Sequence, residues 1–368
     1  MSSIARLDLR QTMIDLMMIP GLSGHEDRVR RAIAARLAHM GIKSETDRLG
    51  NLSAHFPGAG PKVMLFTHMD QLGFIVRRID PDGFVWVTRL GGVPERALAA
   101  QAVLICVGEG RDVPGVIANK SHHASGPDDK TRVLATSELY IDAGFVDAND
   151  AAAAGVRIGT PVVYAPKAVA LGADRIAGTS IDDRAGCAAL LAVAETLANR
   201  DDGPPVDIVF TVQEEFNLRG ALPIAQVLKP DIAIQIDLML ATDTPDMADV
   251  GDIALGAGPA ISLYSFHGRG TLNGVIPHPA LTALMENTAA DSGINLQRSA
   301  QVGILTDLSY VQHVGGGVAA LDVGFPMRYS HSALEVVDLR DVGGLVTLLT
   351  GALSRISPDF SFDRDMVR

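Results

Sequence analysis

The sequence predicts an α/β protein: a sheet covered by helices, interrupted by a small inserted β domain. Three observations carry this expectation. Strand-length apolar runs alternate with helix-period segments on both sides of the chain's middle, the pattern of a sheet with helices on its faces. Between about residues 71 and 165 the texture changes to short β-like runs broken by Gly, Pro and Asp, as in a small β unit. A length of 368 residues allows one large domain with such an insertion, at ~150 residues per domain.

The elements follow in order. Ser23-Gly24-His25-Glu26 reads as a capping box, with the serine accepting from a backbone N–H and the glutamate reaching back. Val29, Ile33, Leu37 and Met40 then recur at helical spacing, and Gly41 suits the stop. Residues 62–67 read as a buried strand ending at His68. The runs 73–79, 83–88, 102–107 and 161–165 supply strands of the insertion. Residues 151–154, all alanine, read as a loop or helix cap. Residues 182–199 read as a helix whose apolar face carries Leu190, Leu191, Val193, Ala194 and Leu197. A strand over 206–212, a helix over 218–228 and a strand over 232–236 closed by Asp237 complete the alternation.

Composition excludes several classes. Thirty-one basic and 43 acidic residues leave a net charge of −12, against the basic face a nucleic-acid binder needs. Hydrophobic residues at 47% and charged residues at 20% exclude wholesale disorder. Cys106 and Cys187 share no metal-type spacing and are too few for a disulfide framework. Cys187, in an apolar helical pattern, reads as a buried free thiol. No stretch reaches the ~18 uninterrupted apolar residues of a membrane span, and the start lacks the form of a signal peptide. The expectation is a soluble cytoplasmic protein with no membrane or nucleic-acid partner.

The chemistry-bearing residues cluster at strand ends. His68 and Asp70 lie two apart, so they point the same way from an extended chain. A histidine there suits a metal, with the aspartate fixing its ring, although a satisfied core histidine is an equal reading. Asp182-Asp183-Arg184 opens a helix, where a carboxylate serves as an ordinary N-cap or bridges two metals. Gln213-Glu214-Glu215 places two carboxylates after a buried strand, a costly arrangement unless a cation neutralises them. One of the pair could bind metal and the other serve as general base. Asp237 and His331, taken singly, are a turn aspartate and a surface histidine. Together the set supplies five oxygen or imidazole ligands and one spare carboxylate, suited to two Zn²⁺, Co²⁺ or Mn²⁺ ions.

At these residues the chain resembles the M42 family of dinuclear metallo-aminopeptidases. The resemblance begins at Ser23-Gly24-His25-Glu26 and Gly50-Asn51-Leu52. It passes through Thr67-His68-Met69-Asp70, Ile181-Asp182-Asp183-Arg184, Gln213-Glu214-Glu215 and Ile236-Asp237. It ends with Thr306-Asp307 and Arg328-Tyr329-Ser330-His331-Ser332-Ala333-Leu334-Glu335. Each motif is weak alone; their order and spacing together are specific.

The resemblance implies a mixed-sheet α/β/α metallopeptidase domain from residues 1–70 and 166–368. It implies a small β-barrel-like domain inserted at 71–165, used for assembly and substrate access. His68 and Asp237 are expected to hold one divalent ion and Glu215 and His331 the other, with Asp182 bridging. Glu214 is expected to be the general base, Asp70 to orient His68, and the Asp182–Asp183 peptide to be cis. Two ions per subunit are implied, zinc or cobalt first and manganese next. The implied activity removes N-terminal residues from short peptides through metal-activated water; the rival is an amidohydrolase acting on a small non-peptide amide or an acylated amino acid. A homo-oligomer is expected, with a tetrahedral dodecamer as the family form. The chain departs from the family pattern at Gln71, Ala118-Asn119-Lys120, Asn217 and Leu308-Ser309. These departures keep every expected ligand and point to a reshaped substrate pocket.

Overall fold

In the computed structural model, which describes residues 7–268 and 274–365, the strand Val63–His68 is buried along its whole length. Val206–Thr211 and Ile232–Leu240 flank it, both parallel to it, and Ala319–Arg328 extends the parallel run past Ile232–Leu240. Antiparallel strands finish the two sides, Leu52–Phe56 on one and Glu335–Asp338 with Arg175–Gly178 on the other. The sheet is therefore mixed, with twelve strands among the described residues.

Strand alternation explains the layers. Leu65, Ile208, Ile234 and Leu321 face the helices Leu9–Met17, Asp27–His39, Ile181–Ala198, Pro279–Ser292 and Leu339–Ser354. Met64, Phe66, Val209, Ala233 and Ala320 face Ala221–Leu228 and Leu308–Val311 on the other side. With both faces covered, the central strands can be apolar throughout, which is why they stand out in the sequence. No helix of the described residues is long and apolar enough to cross a membrane.

Between the strands Val63–His68 and Ala168–Leu171 the chain builds a closed six-strand barrel. Its strands are Gly73–Ile79, Val85–Leu90, Ala102–Ile105, Val113–Ile117, Tyr140–Asp142 and Pro161–Tyr164. Phe74, Val76, Val87, Val103, Ile141 and Val162 fill it. Two of these strands escape the sequence reading: Val113–Ile117 carries Pro114 and Gly115, and Tyr140–Asp142 has only three residues.

Several local expectations are corrected. The first motif is not a capping box: the helix starts at Asp27, so Ser23 lies too early to cap it, and Ser23 Oγ has no partner among the described residues. Glu26 does reach back, to the Gly24 N–H at 2.6 Å, but its second bond goes to the Gln213 N–H at 3.0 Å. It thus ties the loop to the end of a central strand. The helix expected over 218–228 begins at Ala221, because Asn217 and Leu218 have φ of +65° and +57°. Residues Ala148–Ala153 form a short helix capped by Asp147. Asp237 does not close its strand, which runs to Leu240. The pairing with Val63–His68 stops at Gln235, however, so a gap opens beside Asp237 where His68 ends the neighbouring strand.

Candidate metal centre

Ligand-type side chains converge at the carboxyl ends of the parallel strands, where open α/β sheets gather their ligands. His68, Asp182 and Asp237 form one group and Asp182, Glu215 and His331 a second, with the donor atoms of each group within 4.8 Å of one another. Asp182 belongs to both. Its Oδ1 lies 3.0 Å from His68 Nε2, and its Oδ2 lies 3.6 Å from His331 Nε2. His331 Nε2 is 3.8 Å from Glu215 Oε2. Each oxygen of one carboxylate thus faces a different imidazole, the disposition a bridging ligand needs.

The local chain explains why Asp182 is free for this. The Asp182–Asp183 peptide is cis, and both residues have non-helical backbone at the start of Ile181–Ala198. Capping falls to Asp183, whose Oδ1 accepts from the Gly186 N–H at 2.9 Å and whose Oδ2 accepts from the Thr67 hydroxyl. The ordinary N-cap job and the ligand position are therefore split between adjacent residues.

Asp70 is buried and touches more than His68. Its two oxygens accept from the backbone N–H groups of Glu214 and Glu215, each at 3.0 Å. Its approach to His68 Nδ1 is longer, 3.4 Å, beside the 3.2 Å contact from its own carbonyl. One carboxylate thus ties the histidine segment to the Glu-Glu segment. His331 Nδ1 lies 3.0 Å from the Gly92 carbonyl. Donation there leaves Nε2 facing Asp182 and Glu215. Gly92 lies in the barrel insertion, and no local signal marks it. A Cβ at Gly92 would sit 2.8 Å from His331 Nδ1. Gly92→Ala is expected to turn the ring and weaken divalent-ion binding about 10- to 100-fold, read by calorimetric titration; unchanged affinity would remove the barrel from the site.

Burial dominates the electrostatics. It raises the Glu214 carboxyl well above its ordinary range, with Asp237, Asp307 and Glu215 adding to it against the pull of His68. Burial likewise lifts Glu215 to about 7 and Asp237 to about 7, the latter with Asp182 beside it. For His331 burial opposes the charge, but Glu215 and Asp182 outweigh it and carry the ring up to about 9. Glu215 Oε1 is buried without a hydrogen-bond partner among the described residues. This crowding of carboxylates is unfavourable unless a cation compensates it. Two imidazoles and three carboxylates are a donor set that Zn²⁺, Co²⁺ and Mn²⁺ accept, so the residues fit divalent ions.

A pH dependence follows. Glu215 and Asp237 have raised folded pKa values, so the chelator-treated protein binds more protons folded than unfolded from about pH 4 to 7. His331 acts in the same sense, its contribution being lost as pH rises through about 9. Stability of the chelated protein is therefore expected to fall as pH rises from about 5 to 9, whereas divalent ions select the deprotonated carboxylates and offset the loss. Melting temperatures with and without chelator should diverge by several degrees toward high pH; curves that stay parallel would contradict this.

The departures from the family pattern lie mainly in packing. Gln71 is buried, its Oε1 accepting from the Gly21 N–H at 3.0 Å and from Arg184 Nη2 at 3.3 Å. Leu308 and Ser309 are buried in the short helix beneath the sheet. Asn217 has left-handed backbone, where glycine is favoured and asparagine tolerated. Asn119 and Lys120 are exposed, Lys120 pairing with Asp129 at 2.8 Å. Cys187 is buried, its Sγ 3.2 Å from the His68 carbonyl, and Cys106 is also a free thiol.

Comparison with known proteins agrees with this geometry. Residues 50–348 match the model of the M42 glutamyl aminopeptidase family. SgcX of Escherichia coli K12, an aminopeptidase candidate by name, is 35% identical, with 97% of this chain and 96% of that protein aligned. Aminopeptidase APDkam598 from the archaeon Desulfurococcus kamchatkensis superposes with a TM-score of 0.89 at 32% identity, covering 96% of each chain. The TET1 peptidase of Pyrococcus horikoshii, which can assemble into a tetrahedron or a large octahedral shell, gives 0.85 at 26% identity over 95% of this chain and all (100%) of that one. With matching sequence, fold and converging side chains, the chain belongs to the M42 family and is an aminopeptidase.

Proposed function

We propose that this aminopeptidase works with two divalent ions per subunit, zinc or cobalt first and manganese next. In this reading it removes single N-terminal residues from short peptides. The observation that supports this most directly is the sharing of Asp182 between two ligand groups with buried Glu214 alongside. His68 and Asp237 would hold one ion, Glu215 and His331 the other, and Asp182 both. When bound, such ions supply Lewis acidity toward the scissile carbonyl and lower the pKa of the attacking water.

The chain's own groups do the rest. Glu214 takes the proton from the attacking water and passes it to the leaving amine. Its buried, carboxylate-rich surroundings favour proton uptake. Asp70 fixes the backbone of Glu214 and Glu215 and stands beside His68. Residues 1–70 and 166–368 form the catalytic domain in this reading, and 71–165 an inserted domain for assembly and substrate access. The Gly92–His331 contact supports a direct part for the insertion at the site. The assemblies of the TET1 peptidase support a homo-oligomer, with a tetrahedral dodecamer as its form. Two free thiols agree with a reducing cytoplasmic setting.

The test is hydrolysis by cobalt- or zinc-loaded protein of aminoacyl-p-nitroanilides and short peptides, each with a free and an acetylated N-terminus. Release of one N-terminal residue from the free amines alone is expected. Turnover confined to the acetylated series would contradict the reading.

A further inference from the structure

Glu335 opens the strand Glu335–Asp338 and is buried, at 2% exposure. Its two carboxylate oxygens are spent on the main chain of two other residues. Oε1 accepts from the His331 N–H at 2.7 Å, and Oε2 accepts from the Asp182 N–H at 3.1 Å. Both residues belong to the Asp182, Glu215 and His331 group. They come from segments far apart in sequence, and each has demanding backbone. His331 has φ +66° and follows Tyr329 at +61°, a conformation non-glycine residues seldom adopt without support. Two residues before Asp182, Ser180 has φ +60°. Backbone N–H groups in such places have no helix or sheet partner and need another acceptor.

We propose that Glu335 is a positioning residue that fixes the separation and aim of Asp182 and His331 for the second divalent ion. It holds the peptide groups behind the ligands rather than the ion itself. It thereby parallels Asp70, which clasps the N–H groups of Glu214 and Glu215 in the same two-point manner. Each carboxylate thus locks two peptide groups of ligand-bearing chain. Such locking holds donors within tolerance of the productive geometry. The inference rests on the two-ion reading proposed above.

Glu335→Gln tests it. The amide keeps one acceptor but turns an N–H₂ toward the other peptide N–H. Cobalt is titrated into chelator-treated wild type and variant, followed by calorimetry and by the visible absorption of bound Co²⁺. Wild type is expected to take two equivalents. In the variant the first equivalent, whose group shares Asp182 but not His331, should weaken by no more than about threefold. The second should weaken at least about tenfold, with an altered absorption band. Loss of general structural support would weaken both equivalents to the same extent and would overturn the proposal, as would unchanged binding of both. Failure of wild type to take a second equivalent would overturn the two-ion reading and this inference with it, and so separates the two failures. Should the amide variant not fold, Glu335→Asp gives the same readout, since the shorter carboxylate cannot reach both N–H groups.

Discussion

Glu214→Gln is expected to lower kcat by about a thousandfold, within the ~10²–10⁴ range of general-base catalysis, with KM little changed and ion content intact. Glu214 is buried beside the ligand groups but is a member of neither. Its backbone N–H is held by Asp70, an anchor that does not depend on its side chain. Glutamine keeps the shape and loses only the capacity to take a proton. Burial and the neighbouring carboxylates raise the affinity of Glu214 for that proton, as the task of accepting it and returning it to an amine requires. Steady-state kinetics on an aminoacyl-p-nitroanilide, with metal analysis of the same sample, checks this. A variant that keeps both ions and full turnover would remove Glu214 from the base role.

Asp182→Ala is expected to abolish detectable turnover and to weaken both ions at once, each by more than about a hundredfold, the loss of a shared ligand exceeding that of a supporting residue. The fold should persist. The helix after Asp182 is capped by Asp183, and the Asp182 N–H keeps its bond to Glu335. The chelator-treated variant is expected to melt higher than chelator-treated wild type near pH 8. Asp182 is among the charges that raise the Glu215 and Asp237 carboxyls, so removing it relieves like-charge crowding. Function and stability then move in opposite directions, as at sites whose charges serve binding rather than folding. Calorimetric ion titration and thermal melts of both proteins measure this. Selective loss of one ion, with the other bound as in wild type, would show that Asp182 does not bridge.

Much of this site was legible because buried parallel strands advertise their ends. The runs before His68 and before Gln213 are mostly apolar, interrupted only by Thr67 in the first and by Asp207 and Thr211 in the second, so the cluster of charged residues that follows marks the sheet's carboxyl edge. Those runs map onto Val63–His68 and Val206–Thr211. The same signal misleads at Asp237. The strand continues to Leu240, and what changes there is the loss of its neighbour, which no local pattern records. Asp183 and Asp182 are chemically identical in the sequence, and only the backbone at the helix start assigns the cap to one and frees the other. Gly92 and Glu335 act through contacts between distant segments, where a carbonyl and a carboxylate carry no periodicity to read. The Ser23 motif fits a capping box by spacing alone, yet the helix begins after it, and Glu26 bonds to Gln213 across the molecule instead.

The most direct test of the account is anomalous diffraction from crystals of the cobalt-loaded protein, collected at the cobalt edge. Two peaks per subunit are expected on either side of the Asp182 carboxylate, one against His68 and Asp237 and the other against Glu215 and His331. A single peak, or a pair that leaves Asp182 out of contact with either ion, would contradict the shared-ligand site on which the proposed chemistry stands.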